Sequence, residues 1–332
     1  MNRTVRIGTL FLGLSGGLAA CGGGGGDSPP ASAPPPAGLT DTQRSTAATA
    51  TAQSGSNACA GIAPFYWEIG DRNARIASGS VNSAGSATTY SASTLMAIAS
   101  ASKWLYAAYV VQKNAVLSAS DVKFLNFRSG YTSFNTCLPG QTLDGCLAYQ
   151  NNGAYTAATD GSFYYGGAHM EKHASLIGLG ALQSAALASE IRSQIGTDIG
   201  MSYAQPQPAG GVVSSADDYA RFLRKLLGGQ LQIGALLGSH AVCTNPSTCA
   251  QATYAPIPSM TSWHYSIGHW VEDDPVSGDG AFSSPGAFGF YPWVDAGKSP
   301  YGIVARSVTN GYYESAQCGG LIRKAWLTGV AQ

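Results

Sequence analysis

The sequence predicts an α+β fold: an antiparallel β-sheet flanked by helices, with a mostly helical insertion at about residues 115–255. Three observations lead there. Strand-like segments gather at the two ends of the folded part, helical signals fill the stretch between, and the cysteines can pair so as to join the first strand group to the last. Strands, then helices, then strands is not the alternating order of a doubly wound parallel sheet.

The 332 residues carry a formal net charge of zero, and charged residues are only 11% of the chain. That length suffices for a substantial core. No Lys/Arg cluster is present to neutralise a row of phosphates, which excludes nucleic acid as a partner. The opening, MNRTVRIGTLFLGLSGGLAAC, sets Arg3 and Arg6 before an apolar run, Ile7 to Leu18, too short for a permanent membrane span. Residues 1–20 therefore read as an export signal. Its end, Leu18-Ala19-Ala20-Cys21, resembles the bacterial lipobox, which implies a diacylated Cys21 and a membrane anchor; Gly22, where aspartate would mark retention, implies the outer membrane, facing periplasm or exterior. An ordinary signal peptide cut at a nearby alanine is the alternative. GLSGG (13–17) matches a Gly-x-Ser-x-Gly elbow but falls inside the signal. Residues 21–57 are Gly-, Pro-, Ser-, Thr- and Ala-rich with almost nothing large to bury, so they are expected to form a disordered tether before a domain at 58–332.

Within that domain, PFYWEI and RIASGSV around Gly70-Asp71-Arg72-Asn73 read as a hairpin, and 263–272, 286–295 and 301–308 as further strands of one antiparallel sheet. Residues 100–113 have helical spacing. Residues 168–195 are mostly helical and split near Gly178 and Gly180. Residues 214–229 carry a serine cap, Asp217 and Asp218 in the first turn, Arg224 and Lys225 late, and Gly228-Gly229 as a stop. With Cys21 set aside, Cys137 with Cys146 and Cys243 with Cys249 can close small loops, which leaves Cys59 for Cys318. Free or metal-binding thiols are the competing reading, although no Cys-x-x-Cys spacing occurs.

The helix at 100–113 begins SASK, so Ser100 and Lys103 lie one turn apart on the same face. An amine whose apolar surroundings favour its neutral form can activate a serine hydroxyl, and helix-terminal N–H groups can hold an oxyanion. A capping serine beside a solvated lysine gives the same spacing. A second Ser-x-x-Lys, Ser120 to Lys123, looks like such a cap.

The surroundings of Ser100 resemble the class C β-lactamase and penicillin-binding-protein-like serine hydrolase family over most of residues 60–330. IASASKWL resembles its Ser-x-x-Lys motif, FLNFRSGY (124–131) its downstream loop, PAGGVVSSADDYARFLRKLL (208–227) its glycine pair and helix, and SSPGAFGFYPWVD (283–295) its catalytic strand. The resemblance implies Ser100 as nucleophile, Lys103 and Tyr165 of FYYGGAH as proton carriers, and the Ser100 and Ala287 N–H groups as oxyanion donors. It places Gly167 where the family has asparagine, and Ser284, Pro285 and Gly286 where the family grips a substrate carboxylate with a cation; Gly167, Ser284 and Gly286 are the implied substrate contacts. Losing that cation removes a charge-assisted hydrogen bond. A neutral ester or a short amide is therefore the expected substrate, as in the esterase and 6-aminohexanoate-oligomer hydrolase branches that this strand resembles. A β-lactamase or D,D-peptidase, and an inactive envelope binding protein of the same fold, are the alternatives.

No cofactor is expected. His169 and His173 stand at i and i+4, a spacing that suits zinc, but Glu171 between them is one place off the zincin pattern and no third ligand is identifiable. His169 could instead line the cleft, and His264 and His269 pack among the strand aromatics. Trp67, Trp263, Trp270 and Trp293 could wall a substrate groove but are read as core, and Asp217 and Asp218 as partners of the helix dipole.

Overall fold

Thr40 and Gln43 cap each other reciprocally and start a helix, α1 (Asp41–Ala52), inside the stretch expected to be a disordered tether. The computed structural model describes residues 38–332; the expected export signal (1–20), Cys21 and residues 22–37 lie outside the described residues. Helix α1 buries Ala47, Ala48, Thr51 and Ala52, side chains small enough to let a second helix approach closely. That second helix is α8 (Tyr312–Thr328) at the other end of the chain. Arg44 donates to the Trp326 carbonyl (2.9 Å), the Gln332 N–H to the Thr51 hydroxyl (2.9 Å), and the Cys59–Cys318 disulfide closes the same seam. The tether expectation is thus corrected for residues 41–52. Composition concealed the helix because alanine and threonine bury little area each, although Thr40-Asp41-Thr42-Gln43 is a capping box in the sequence itself.

Beyond it, β1 (Phe65–Gly70) and β2 (Arg75–Val81) form the expected hairpin, its turn held by Asn73 and Ala74 N–H groups donating to Asp71. Strand β3 (Met96–Ala97) then feeds a 3-10 turn, Ala99–Ala101, and α2 (Ser102–Asn114). Ser100 therefore lies in the tight turn before the α-helix and not within its first turn. The insertion holds α3 (Ala119–Leu125), α4 (Leu143–Ala148), β4 (Phe163–Tyr164), α5 (Ala168–Ala174), α6 (Ser184–Ile195), β5 (Met201–Tyr203), β6 (Val212–Ser214) and α7 (Ala216–Leu227). Ser118, two residues before the expected Ser120, caps α3 in a box with Asp121. The break between α5 and α6 falls at Gly178, and Ser215 caps α7, both as expected.

Strands β7 (Val242–Cys243) and β8 (Ala252–Tyr254) follow, then β9 (His264–Tyr265) and β10 (Trp270–Glu272), which divide the single strand expected at 263–272 into a tight hairpin. Strands β11 (Ala281–Ser283), β12 (Tyr291–Val294) and β13 (Tyr301–Ala305) complete an eight-stranded antiparallel sheet in the order β2-β1-β13-β12-β11-β10-β9-β7. The expected strand at 286–295 is shorter than predicted: residues 284–290 are a loop between β11 and β12. Strand β11 is flanked on both sides, so Pro285 is accommodated in that loop and not by an edge strand. The Cys137–Cys146 and Cys243–Cys249 pairs are also present.

Helix α8 has no counterpart in the sequence reading, because Gly319 and Gly320 interrupt its pattern. The first of them is a packing requirement. A Cβ at Gly319 would lie 2.4 Å from the buried ring of Tyr291, whose hydroxyl is fixed by Glu272 and Arg323; a Cβ at Gly320 meets nothing nearer than Arg323 at 3.8 Å. Gly319→Ala is expected to lower the unfolding free energy by about 1–3 kcal/mol, and Gly320→Ala to raise it by about 0.5–1 kcal/mol. Denaturant unfolding of the two variants checks this opposition of sign.

Candidate active site

Ser100 is presented by a strained turn. Ala99, just before it, has φ 43°, a left-handed conformation that non-glycine residues seldom adopt. Four hydrogen bonds hold the turn: Ile98 N–H to the Val212 carbonyl (3.0 Å), Ala101 N–H to the Ile98 carbonyl (3.1 Å), Ser102 hydroxyl to the Ala99 carbonyl (2.6 Å) and Ser284 hydroxyl to the Ser100 carbonyl (3.1 Å). Tyr219 of α7 adds a bond to the Ala101 carbonyl (2.9 Å). The turn is therefore fixed from β6, from α7 and from the end of β11.

Lys103 is only 4% exposed, with Nζ 2.9 Å from Ser100 Oγ and 2.8 Å from the Ala209 carbonyl oxygen. Burial brings its pKa down to about 8, against the pull of Glu171, which favours the ammonium. The contact with Oγ suits both protonation states, since an ammonium donates to Oγ while a neutral amine accepts the hydroxyl proton. The alternative of a capping serine beside a solvated lysine does not describe this pair. In the second motif Ser120 lies inside α3, which Ser118 caps, and Lys123 is at the surface against Asp160 (2.8 Å).

Tyr165 follows β4 and is half-buried, its ring stacked on Trp270 (centroids 5.2 Å, 24°) with Phe127 and Tyr265 against its edges. Lys103 Nζ lies 5.0 Å from the ring centroid. Burial pushes the phenol up to about 12, moderated by the Ser100 and Trp270 side chains near its hydroxyl. The structure thus brings Ser100, Lys103 and Tyr165 together. Ser284 also joins them, with its hydroxyl proton spent on the Ser100 carbonyl. Gly286 closes the loop after β11 through its bond to the Phe290 carbonyl (2.8 Å), while the N–H of Ala287 meets no acceptor among the described residues. Gly167, at the head of α5, leaves room for a neighbour: a Cβ there would lie 3.2 Å from Glu171 Oε2.

Other expected roles resolve differently. His169 does not line the cleft. It is fully buried, stacked on Phe127 (5.1 Å, 15°), with Nδ1 2.6 Å from the Ser129 hydroxyl and Nε2 3.0 Å from the Tyr164 carbonyl. Burial lowers its pKa to about 3, so it is neutral, donating to Tyr164 and accepting from Ser129. His173 bridges Tyr106 (2.8 Å) and Asp121 (2.9 Å). Each imidazole has both nitrogens committed, and no group of three or more possible metal ligands occurs among the described residues. His269 stacks on Trp104 in the core, whereas His264 is partly exposed and pairs with Asp273. The four tryptophans are buried, and Asp217 and Asp218 hold Arg75 and Arg221 besides facing the start of α7.

Two participants were not anticipated. Ala209 supplies the carbonyl that fixes Lys103, and Glu171, fully buried, accepts from the Ala209 N–H (3.0 Å) while burial lifts its pKa to about 7. The available signal was a carboxylate on a helix face otherwise made of buried residues, in a chain poor in charge.

No family model matches the chain, and no curated protein matches it. Solved structures do. A protein assigned as a β-lactamase in Bacteroides dorei is 19% identical, with TM-score 0.55 over 79% of this chain and 93% of its own. The D-amino acid amidase of Ochrobactrum anthropi is 13% identical, TM-score 0.56, over 78% and 94%. A hydrolase with promiscuous acyltransferase activity is 15% identical, TM-score 0.53, over 86% and 99%. The fold is that of the β-lactamase-like serine hydrolases. On this fold, the FYYGGAH segment serves two ends: Tyr165 at the site, and His169 as an internal clamp behind it. Replacing His169 by Phe keeps the stack on Phe127 but strands the Ser129 hydroxyl and the Tyr164 carbonyl. A loss of about 1–3 kcal/mol in unfolding free energy is expected, and added zinc should leave the melting temperature of the unaltered protein unchanged.

Proposed function

We propose that the protein is an exported, lipid-anchored serine hydrolase that cleaves a neutral ester or short amide through an acyl-enzyme on Ser100. The 2.9 Å contact of a buried lysine amine with that hydroxyl is the observation that carries the reading. In the proposed cycle, neutral Lys103 takes the hydroxyl proton as Ser100 Oγ bonds to the substrate carbonyl carbon. The resulting oxyanion is held by the N–H groups of Ser100 and Ala287, the second of which has no competing acceptor among the described residues. Collapse breaks the bond to the alcohol or amine, which takes its proton from Lys103 through Tyr165. Water then attacks the ester on Ser100 and gives its proton to Lys103 along the same route; the acyl–Oγ bond breaks, Oγ takes that proton, and the acid leaves.

The substrate class follows from Ser284. Where a carboxylate-gripping cation would stand, this chain has a hydroxyl already donating to the nucleophile's own carbonyl, followed by Pro285, which has no N–H to offer. An anionic acyl group gains little there, and Gly167 and Gly286 contribute no side chain to bind it. Three disulfides agree with an oxidising compartment. Among the described residues no helix is long and apolar enough to cross a membrane, and Cys21 is the proposed point of attachment.

A fluorophosphonate probe is expected to label the protein and to spare Ser100→Ala; equal labelling of both would remove the nucleophile assignment. Labelling should quicken as pH rises through about 8, because the ammonium of Lys103 then loses its proton. Lys103→Met is expected to slow it by about 100-fold or more. In a panel of nitrophenyl esters, short amides and nitrocefin, neutral esters should turn over fastest. Preference for nitrocefin would favour a β-lactamase, and a folded protein inert to the whole panel would favour a binding role.

A further inference from the structure

Buried carboxylates elsewhere in this protein spend both oxygens on donors. Glu68 accepts from Tyr66 and Arg75 at Oε2 and from Tyr301 at Oε1; Glu272 accepts from Tyr291 at Oε1 and Arg323 at Oε2. Both of their oxygens are thus bonded, and each carboxylate has an arginine beside it. Glu171 is built differently. It is fully buried, its Oε1 accepts a single bond from the Ala209 N–H (3.0 Å), and its Oε2 has no partner among the described residues. A buried acceptor left unmade costs free energy, so a purely structural position would be better filled by an apolar side chain.

What surrounds Glu171 indicates why it is kept. Ala209 takes Glu171 on its N–H and Lys103 on its carbonyl (2.8 Å), so one residue carries both ionisable groups. The position of Gly167 leaves the space beside Oε2 open, since any side chain there would press on that oxygen and on Phe134, each 3.2 Å from a Cβ. From α2, Lys103 and the phenol of Tyr106 face the carboxylate; from β5, the phenol of Tyr203 does; on its own helix, His169 and His173 are buried and Lys172 lies over the Tyr131 ring. Burial holds both phenols in their neutral form and lowers the proton affinity of both imidazoles. Lys103 is thus the cation that Glu171 opposes.

We infer that Glu171 is a positioning residue whose buried charge, beside the Ala209 residue that both groups bond, holds the proton of Lys103 and so sets the pH at which Ser100 becomes a nucleophile. This rests on the Ser100–Lys103 reading above for its consequence, but the coupling of the two ions can be observed without turnover. Burial alone would drive Lys103 neutral and Glu171 protonated, while each ion draws the other back toward its charged form. Removing the anion therefore releases the lysine proton at lower pH.

The test follows the lysine Cε resonance by carbon NMR on selectively labelled protein, with Lys103 assigned as the signal missing from Lys103→Met. In Glu171→Gln, which keeps an acceptor for the Ala209 N–H, the Lys103 midpoint should fall by about 1 pH unit. Glu171→Asp, which keeps the charge, should stay nearer the unaltered protein. The rise of fluorophosphonate labelling with pH should move by the same amount. An unchanged Lys103 midpoint in folded Glu171→Gln would overturn the inference, because a merely structural role would lower stability without moving a titration. Should that variant fail to fold, the unaltered protein decides: a shared inflection of the Lys103 Cε and Glu171 Cδ signals supports coupling, and independent curves refute it. A Lys103 midpoint that moves while Ser100 stays unlabelled would leave the coupling standing and remove the hydrolase reading.

Discussion

An amine taken out of water must have somewhere to put its hydrogens, and that requirement organises the centre of this protein. Lys103 lies in a helix whose residues Ser102 to Val111 are all buried, so no solvent is at hand to satisfy it. Two oxygens do so instead, one from a side chain three residues back and one from a main chain more than a hundred residues on. The second contact fixes the Pro208–Gly211 segment, which leads into β6, and β6 in turn grips the turn that carries Ser100. Position, burial and proton affinity of the amine are in this way one arrangement, since loosening any contact lets water in and returns the lysine to its ordinary basicity.

The surrounding layers continue that logic. Trp270 and Tyr265 from the sheet and Phe127 from the segment after α3 box the Tyr165 ring, and Phe127 is backed in turn by His169. Planar rings lose little freedom on ordering, so a cluster of them makes a stiff mount for a phenol that must stay near two other groups. On the opposite wall the loop after β11 is bonded to the nucleophile's carbonyl through Ser284, so sheet and helix approach the reacting hydroxyl at fixed separation.

Much of this was legible in the chain because the chemistry needs few residue types at short spacing. Ser100 and Lys103 stood out as a polar pair in an apolar run, and the hairpin, α7 and the split between α5 and α6 follow from turn and cap residues that act locally. What escaped reading depends on contacts distant in sequence. Helix α1 is stabilised by α8 across almost the whole chain, and its alanines carry no periodic contrast. The glycines of α8 look like a break until Tyr291 is seen beneath one of them. Glu171 lay in plain view between two histidines, but only the fold shows that the histidines turn to Ser129, Tyr106 and Asp121 while the carboxylate turns toward Ala209.

The seam between α1 and α8 has a geometric corollary. Tyr301, reached by Arg224 of α7, and Val304, which lies under Gly319 of α8, are three residues apart on β13 and so project from opposite sides of the sheet. Because α7 also contacts the Ser100 turn, the paired terminal helices occupy the rear of the molecule. Leu39, just before α1, lies beside Gly329 on that rear side. A body moored there would turn its reactive mouth outward, so that small solutes arrive by free diffusion and need not thread between the molecule and its mooring.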